Sequence, residues 1–165
     1  MHDDLHELFL NELADMYNAE QQLTKALPKM AKTAESDELR EAFESHLEET
    51  QQHLSRLEDV ARSLEETPKR KTCEAMKGLI NEAEDIISEQ KNSTALDAGL
   101  IAAAQKVEHY EIASYGTLVA WAERMGHDEA SELLQQTLEE EKAADEKLTS
   151  IAESIANEKA QAQSE

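Results

Sequence analysis

Residues 106–115 read Lys106-Val107-Glu108-His109-Tyr110-Glu111-Ile112-Ala113-Ser114-Tyr115 and lie in a run without proline between Ser93 and Met125. This run predicts one long helix. Its apolar residues recur at three- and four-residue steps and form one stripe: Leu100, Ala104, Val107, Leu118, Trp121 and Met125. Glu111 falls on the same stripe, and Glu108 lies one turn before it. An acid on an apolar stripe is costly unless a basic side chain or a bound cation neutralises it.

The composition of the chain predicts an all-α fold. Four glycines, two prolines and 4% aromatic residues in 165 positions favour helices and offer strands very little. We expect one domain over residues 1–165, built as an antiparallel four-helix bundle. The long helices are predicted at about 3–33, 37–66, 94–125 and 128–156, with a shorter crossover helix at about 73–90 between the second and third.

The charge of the chain excludes one class of partner. Sixteen basic residues against 37 acids give a net charge of −21, which repels phosphate backbones, so we expect no nucleic acid partner. The short basic run at residues 69–71 is interpreted as a solvated connector. A single cysteine, Cys73, suits a reducing compartment. With no signal peptide at the N-terminus and no apolar run near the ~20 residues that span a membrane, a soluble cytoplasmic protein is predicted.

An internal repeat relates the two halves of the chain. A shift of 91 positions aligns Phe9 with Leu100, Leu27 with Leu118 and Glu20 with Glu111. Shared helical composition supplies some such matches by chance, but the matched acids also fall at equal depth along matched stripes. Two helical hairpins related by a pseudo-twofold axis are expected to bring Glu20 and Glu111 to facing positions inside the bundle.

Acidic side chains from all four long helices then converge with an imidazole. Such an oxygen-rich site is typical of proteins that bind iron or manganese ions in pairs. No Lys or Arg is expected on the facing stripes, and His46 and His109 are assigned to packing or to the surface. The candidate ligands are Glu20, Glu49, His53, Glu108, Glu111, Glu141 and Asp145.

The same residues permit other interpretations. A glutamate at a stripe position can be an interfacial acid paired with Lys or Arg, and Glu49 with His53 is a spacing that arises freely in a glutamate-rich helix. One alternative is therefore a metal-free helical bundle with an interaction or structural role, in which buried acids pair with bases or share protons. An iron-storage cage is a third reading, and it requires a large assembly.

Three stretches resemble a known family. Residues 46–50 (His-Leu-Glu-Glu-Thr), residues 100–118 around Glu108 and Glu111, and residues 137–145 resemble the bacterial YciF-like stress proteins of the ferritin-like superfamily. The resemblance covers nearly the whole chain. It implies a ferritin-like four-helix bundle with an extra crossover helix, a homodimer, a relation to rubrerythrins, and a role in oxidative or general stress.

The rubrerythrin pattern is matched in part. That pattern carries Glu on the first helix, Glu-x-x-His on the second and fourth, and Glu-x-x-Glu on the third. Glu20 and the pair Glu108 and Glu111 fit it, whereas Gln52 and Ala144 stand where the two histidines are expected and His53 and Asp145 follow one residue later. The repeat pairs Glu49 with Glu140, while the stripe favours Glu141. The resemblance implies a site that binds two iron or manganese ions and acts on O₂ or peroxide. If the protein is an enzyme, the implied activity is that of an oxidase, a peroxidase or a catalase.

Overall fold

The computed structural model describes residues 4–156, 159 and 161–162. These contain no strand, as the all-α prediction requires. Their elements in chain order are α1 (Asp4–Thr33), α2 (Asp37–Ser63), α3 (Glu74–Glu89), α4 (Leu96–Met125), α5 (Asp128–Ile151) and a π-helical turn, Ala152–Ala156. Asp3, predicted as the first residue of α1, lies outside the described residues.

Capping residues mark where helices begin and end. Ser36 is the N-cap of α2 and its hydroxyl accepts from the Leu39 backbone N–H. Gly126 ends α4 in the left-handed conformation at a φ of 74°, which glycine adopts without strain. α2 stops at Ser63, three residues before the predicted end, and Glu65 takes a φ of 56° in the turn that follows.

Two helical hairpins make the four-helix bundle. α1 packs against α2, α4 packs against α5, and contacts of α2 with α5 and of α1 with α4 join the hairpins. α3 packs against α1 and α4, as a crossover helix must. The ferritin-like bundle with a crossover helix between its second and third long helices is therefore confirmed. No helix in the described part of the chain is long and apolar enough to cross a membrane.

The apolar stripes face a common core. Leu13, Leu23 and Leu27 of α1 and Leu100 and Leu118 of α4 are at most 3% exposed. Leu57 of α2 and Leu134 of α5 are buried with them. A cluster of charged and polar side chains interrupts this core at mid-bundle.

Candidate metal centre

Six buried side chains from four helices meet at mid-bundle. They are Glu20 of α1, His46 and His53 of α2, Glu108 and Glu111 of α4, and Glu141 of α5, and none is more than 7% exposed. They form two groups, within each of which the possible ligand atoms all lie within 4.8 Å of one another. The first group contains His46, Glu108, Glu111 and Glu141, and the second contains Glu20, His53 and Glu141. We call these six residues the carboxylate cluster.

Helical spacing explains why both imidazoles point inward. His46, Thr50, His53 and Leu57 follow one another at four-, three- and four-residue steps, which keeps them on one face of α2. All four are buried. Glu108 and Glu111 are three residues apart and share the inner face of α4 in the same way.

Glu141 is common to both groups. Its Oε1 lies 2.9 Å from Nδ1 of His53, and its Oε2 lies 3.7 Å from Nε2 of His46. Nε2 of His46 also lies 2.8 Å from Oε1 of Glu108, and Nδ1 of His53 lies 3.6 Å from Oε1 of Glu20. A carboxylate with one oxygen toward each half of a site has the geometry of a bridging ligand.

The outer nitrogen of each imidazole contacts a second carboxylate. Oε2 of Glu49 lies 3.2 Å from Nδ1 of His46, the nitrogen that faces away from Glu108. Oε2 of Glu140 lies 2.8 Å from Nε2 of His53, the nitrogen that faces away from Glu141. Such carboxylate–histidine pairs fix the orientation of metal-binding imidazoles and increase their basicity. Glu49 and Glu140 are also matched by the 91-residue repeat.

Arg56 contradicts the expectation that no basic residue lies on the facing stripes. It is 9% exposed, and its Nη1 and Nη2 donate to the two oxygens of Glu140 at 2.9 and 3.1 Å. Nη1 also donates to Oγ1 of Thr137 at 2.6 Å. Arg56 therefore neutralises Glu140 and not a member of the carboxylate cluster. These contacts outweigh the partial burial of Glu140 and hold its pKa below the ordinary value.

Burial and mutual repulsion disturb the titration of the cluster. Burial, and then the charges of neighbouring acids, raise the pKa of Glu111 and of Glu141 well above the ordinary value. Burial alone would lower the pKa of His46, but Glu108 and Glu49 bring it well above its usual range. Burial opposes the ionisation of Glu108, whereas the neighbouring His46 favours it. The pKa of Glu108 is lowered on balance. Without a cation, the His46–Glu108 ion pair and the raised pKa values of Glu111 and Glu141 both limit the negative charge buried in the cluster.

The unsatisfied atoms of the cluster fit a pair of cations. Ten buried side-chain polar atoms in the described residues make no well-aligned hydrogen bond, and eight belong to this cluster. They are one oxygen each of Glu20 and Glu108, both oxygens of Glu111 and Glu141, Nε2 of His46 and Nδ1 of His53. Nε2 of His46, Nδ1 of His53 and Oε1 of Glu141 are within 2.9 Å of an ion-pair partner in the cluster, whereas the other five atoms, all carboxylate oxygens, have no such contact. Buried polar atoms are normally satisfied, so this concentration suits a ligand at the centre of the group. Four carboxylates also balance the charge of two divalent ions.

The structure brings together five of the seven candidates chosen from sequence. Glu20, His53, Glu108, Glu111 and Glu141 belong to the cluster. Glu49 instead contacts the outer nitrogen of His46, and its side chain is 40% exposed. Asp145 also lies outside both groups, with Oδ2 at 3.2 Å from Nε2 of the exposed His109. The carboxylate of α5 that faces the cluster is Glu141, while Glu140 supports His53.

His46 was assigned to packing or the surface, and it lies in the first group of the cluster. The repeat carries the signal that identifies its face. A shift of 91 matches Glu141 with Thr50 and Thr137 with His46, and all four of these residues are buried. The inner face of α2 therefore follows from that of α5.

The cluster keeps the usual ligand inventory in a different arrangement. Di-metal bundle proteins use four glutamates and two histidines, with Glu-x-x-His on two helices. Here Thr50 occupies the glutamate position before His53, and Ala144 occupies the histidine position after Glu141. With Glu108 of the Glu-x-x-Glu pair and with His46, the cluster again contains four carboxylates and two imidazoles.

Sequence and structure both relate this chain to known proteins. The family described as a domain of unknown function, DUF892, matches residues 4–161. Protein YciF of Escherichia coli K12 is 49% identical over 158 residues, which cover 95% of both chains. The crystal structure of the E. coli stress protein YciF matches with a TM-score of 0.90 and 48% identity, over 94% of this chain and 99% of that one.

Two further solved structures share the fold. YcfI from Rhodopseudomonas palustris has a TM-score of 0.86 and 49% identity, over 89% of this chain and 94% of its own. A protein from Xanthomonas campestris pv. campestris has a TM-score of 0.75 at 24% identity, covers 99% of this chain and 100% of its own, and bears on the fold alone. The family match and the 49% identity together decide the classification: this chain belongs to the DUF892 family, alongside YciF.

Proposed function

We propose that this protein binds two iron or manganese ions in the carboxylate cluster and acts in oxidative or general stress defence. The observation that carries the proposal is the set of five buried carboxylate oxygens without a hydrogen-bond partner, on four glutamates, beside two imidazoles of the same cluster. Leaving so many polar atoms unsatisfied in a core is costly, and a pair of divalent cations would satisfy them together.

Each ion position has its own ligand group. Glu20 and His53 would hold one ion, and His46, Glu108 and Glu111 would hold the other. Glu141 would serve both positions, since its oxygens point toward different imidazoles. When bound, iron or manganese would supply redox cycling between the +2 and +3 states, with O₂ or peroxide as the oxidant. The protein's own contribution is to hold the imidazoles through Glu49 and Glu140.

The biological setting is inferred from relatives. YciF of E. coli is described as a stress protein, and at 48% identity over nearly the whole chain a related role is reasonable here. We further propose a cytoplasmic homodimer, in keeping with the single cysteine and with the family resemblance.

A metal-free structural protein is the rival proposal. A structural role has been suggested for YcfI, which is 49% identical to this chain. The contacts of His46 with Glu108 at 2.8 Å and of His53 with Glu141 at 2.9 Å neutralise part of the buried charge without any metal. In this account protons on Glu111 and Glu141 replace the cations.

Counting bound metal separates the two proposals. The protein is loaded anaerobically with Fe²⁺, or with Mn²⁺ in air, then desalted and analysed by inductively coupled plasma mass spectrometry. We expect about two ions per chain, the number of ligand groups in the cluster. The double variant Glu20→Ala with Glu111→Ala should retain close to none. Glu139→Gln, which changes an exposed acid on α5, is the matched control and should bind as the wild type does.

A wild-type count near zero would contradict the di-metal proposal and favour the structural one. An unchanged count in the double variant would also contradict it, because the ions would then be held by the acidic surface and not by the carboxylate cluster.

A further inference from the structure

A cavity of about 400 Å³ leads from the surface to one end of the carboxylate cluster. His46 and Glu108 lie at its inner end, and its interior wall is apolar: Leu23, Leu27, Met30, Phe43, Val107 and Leu148. The exposed lining residues come from α2 and α5, among them Glu38, Glu41 and Lys147, so the mouth lies between these helices.

Small side chains leave this space open. Ala104 of α4 lines the cavity, and so do Ala143 and Ala144 of α5. Ala144 is the repeat counterpart of His53 and occupies the position where the Glu-x-x-His pattern would place a second imidazole. The substitution that changes the ligand arrangement therefore also opens the cavity beside it.

The cavity is much larger than O₂ or hydrogen peroxide requires. At about 30 Å³ per molecule of liquid water, it has room for roughly 13 waters. Pockets for small organic ligands begin at about 300 Å³ and combine apolar walls with a few convergent polar groups. Oε2 of Glu108 is one such group, because the side chain is 2% exposed and this oxygen has no hydrogen-bond partner.

The charges around the cavity select the class of ligand. Three acids, Glu38, Glu41 and Glu49, line its outer part against one lysine, Lys147, with Glu108 beside His46 at the inner end, and the whole chain carries a net charge of −21. An anionic ligand would be repelled at the mouth. The apolar interior equally disfavours a charged group that is not paired. An uncharged molecule with an alkyl body meets neither barrier.

We propose that this cavity binds an uncharged alkyl molecule with one terminal oxygen group, of the alcohol or alkyl hydroperoxide class, with the oxygen directed at His46 and Glu108. The alkyl body lies against Leu23, Leu27 and Phe43. The cavity and its polar end do not require a bound ion. The proposal rests on the proposed function only for what the ligand's oxygen group would contact in metal-loaded protein.

The test is titration of metal-free, full-length protein with 1-octanol by isothermal calorimetry, with octanoate as the anionic comparison. We expect 1:1 binding of octanol with a dissociation constant on the order of 10–1,000 µM. Octanoate, of equal chain length, should bind at least tenfold more weakly. Ala144→Leu should weaken octanol binding at least tenfold by filling the cavity. Ala102→Leu, at an exposed position on α4 outside the cavity, is the matched control.

A second measurement does not depend on a variant that folds. Met30 lines the cavity, whereas Met16 and Met76 are buried elsewhere. Octanol should shift the ¹³C-methyl resonance of Met30 and leave those of Met16 and Met76 unchanged, with the resonances assigned in the wild-type protein by nuclear Overhauser contacts.

The proposal would be overturned by no heat and no Met30 shift up to the solubility limit of octanol, by octanoate binding as tightly as octanol, or by an octanol affinity unaffected by Ala144→Leu. Dissociation of an oligomer by octanol would also overturn it, because a second copy of the chain would then be the natural occupant. Octanol binding by a protein that takes up no iron or manganese would contradict the di-metal function alone. Two bound ions without octanol binding would contradict the cavity proposal alone.

Discussion

Tyr115 donates a hydrogen bond of 2.7 Å from its hydroxyl to Oε1 of Glu20, and both side chains are fully buried. Burial, and then the nearby acids, raise the pKa of Tyr115 well above its ordinary value, so the hydroxyl keeps its proton. The bond fixes the Glu20 carboxyl and leaves Oε2 as the atom without a partner.

Tyr115→Phe removes this one oxygen. We expect the free energy of unfolding to fall by about 1–3 kcal/mol and Mn²⁺ affinity to fall about tenfold, because Glu20 loses its orientation. Urea denaturation and calorimetric Mn²⁺ titration measure the two effects. The control is Tyr17→Phe, since the Tyr17 hydroxyl bonds to exposed Glu58, and its Mn²⁺ affinity should not change. Equal affinity in wild type and Tyr115→Phe would show that Glu20 needs no support.

A variant of Glu49 tests whether this residue supports His46 or binds metal itself. Its contact with the outer nitrogen of His46 predicts that Glu49→Ala still binds two ions but about 10–100-fold more weakly. Its exposed neighbour Glu48 supplies the matched control, Glu48→Ala. The readouts are the metal count at saturation and the dissociation constants from titration. Loss of one ion per chain would instead support the sequence-based prediction that Glu49 is a ligand.

A variant of Asp145 tests the prediction that this residue is not a metal ligand. Since its Oδ2 lies against His109 and the residue belongs to neither ligand group, Asp145→Asn should leave two ions per chain and change their affinity less than about twofold. Elemental analysis and titration provide the check. A count of one ion in this variant, with helical content unchanged by circular dichroism, would return Asp145 to the ligand set.

The fold was predictable because its determinants are local and repeated. Apolar residues at three- and four-residue steps predict each long helix, and Gly126 and Ser36 end or begin helices where capping chemistry expects them. The length of the connector around α3 predicts that it crosses the bundle and does not form a tight turn. The early end of α2 at Ser63 was not predictable from the apolar pattern, because the pattern continues to Leu64.

The candidate site was predictable in its acids and less so in the direction of each side chain. Glu20, Glu111 and Glu141 interrupt apolar stripes, so their burial follows from the pattern. On α2 the spacing of Glu49 and His53 shows only that they share a face. One residue on a helix is a rotation of about 100°, and this step separates Thr50, on the inner row with His46 and His53, from Glu49 outside it. The burial of Arg56 was not predicted because its partner, Glu140, lies 84 residues away in the sequence.

Metal-free protein should show a distinctive dependence on pH at Glu111. Its pKa in the folded state is held well above the ordinary value of 4.5 by burial and by Glu20 and Glu108, so between those two pKa values the folded protein binds more protons than the unfolded chain. The stability linked to Glu111 is therefore complete below about pH 4.5 and is lost as pH rises through the folded-state pKa.

Glu111→Gln removes this titration while keeping the shape of the side chain. We expect the melting temperature of the metal-free variant to rise relative to that of the wild type as the pH is raised above about 5, by an amount equivalent to about 1–3 kcal/mol. Saturating Mn²⁺ should reverse the order, because only the wild type keeps the ligand. Glu132→Gln, at an exposed acid, serves as the control. Parallel pH profiles for wild type and Glu111→Gln would mean that Glu111 titrates normally.

Anomalous diffraction from crystals of the manganese-loaded protein tests the central claim most directly. Data collected above and below the manganese absorption edge locate the ions independently of any assumption about ligands. We predict two anomalous peaks per chain, about 3.5–4 Å apart, one beside Glu20 and His53 and the other beside His46, Glu108 and Glu111, with the Glu141 carboxylate between them. A map with no peak among these six side chains, at full manganese loading, would contradict the account.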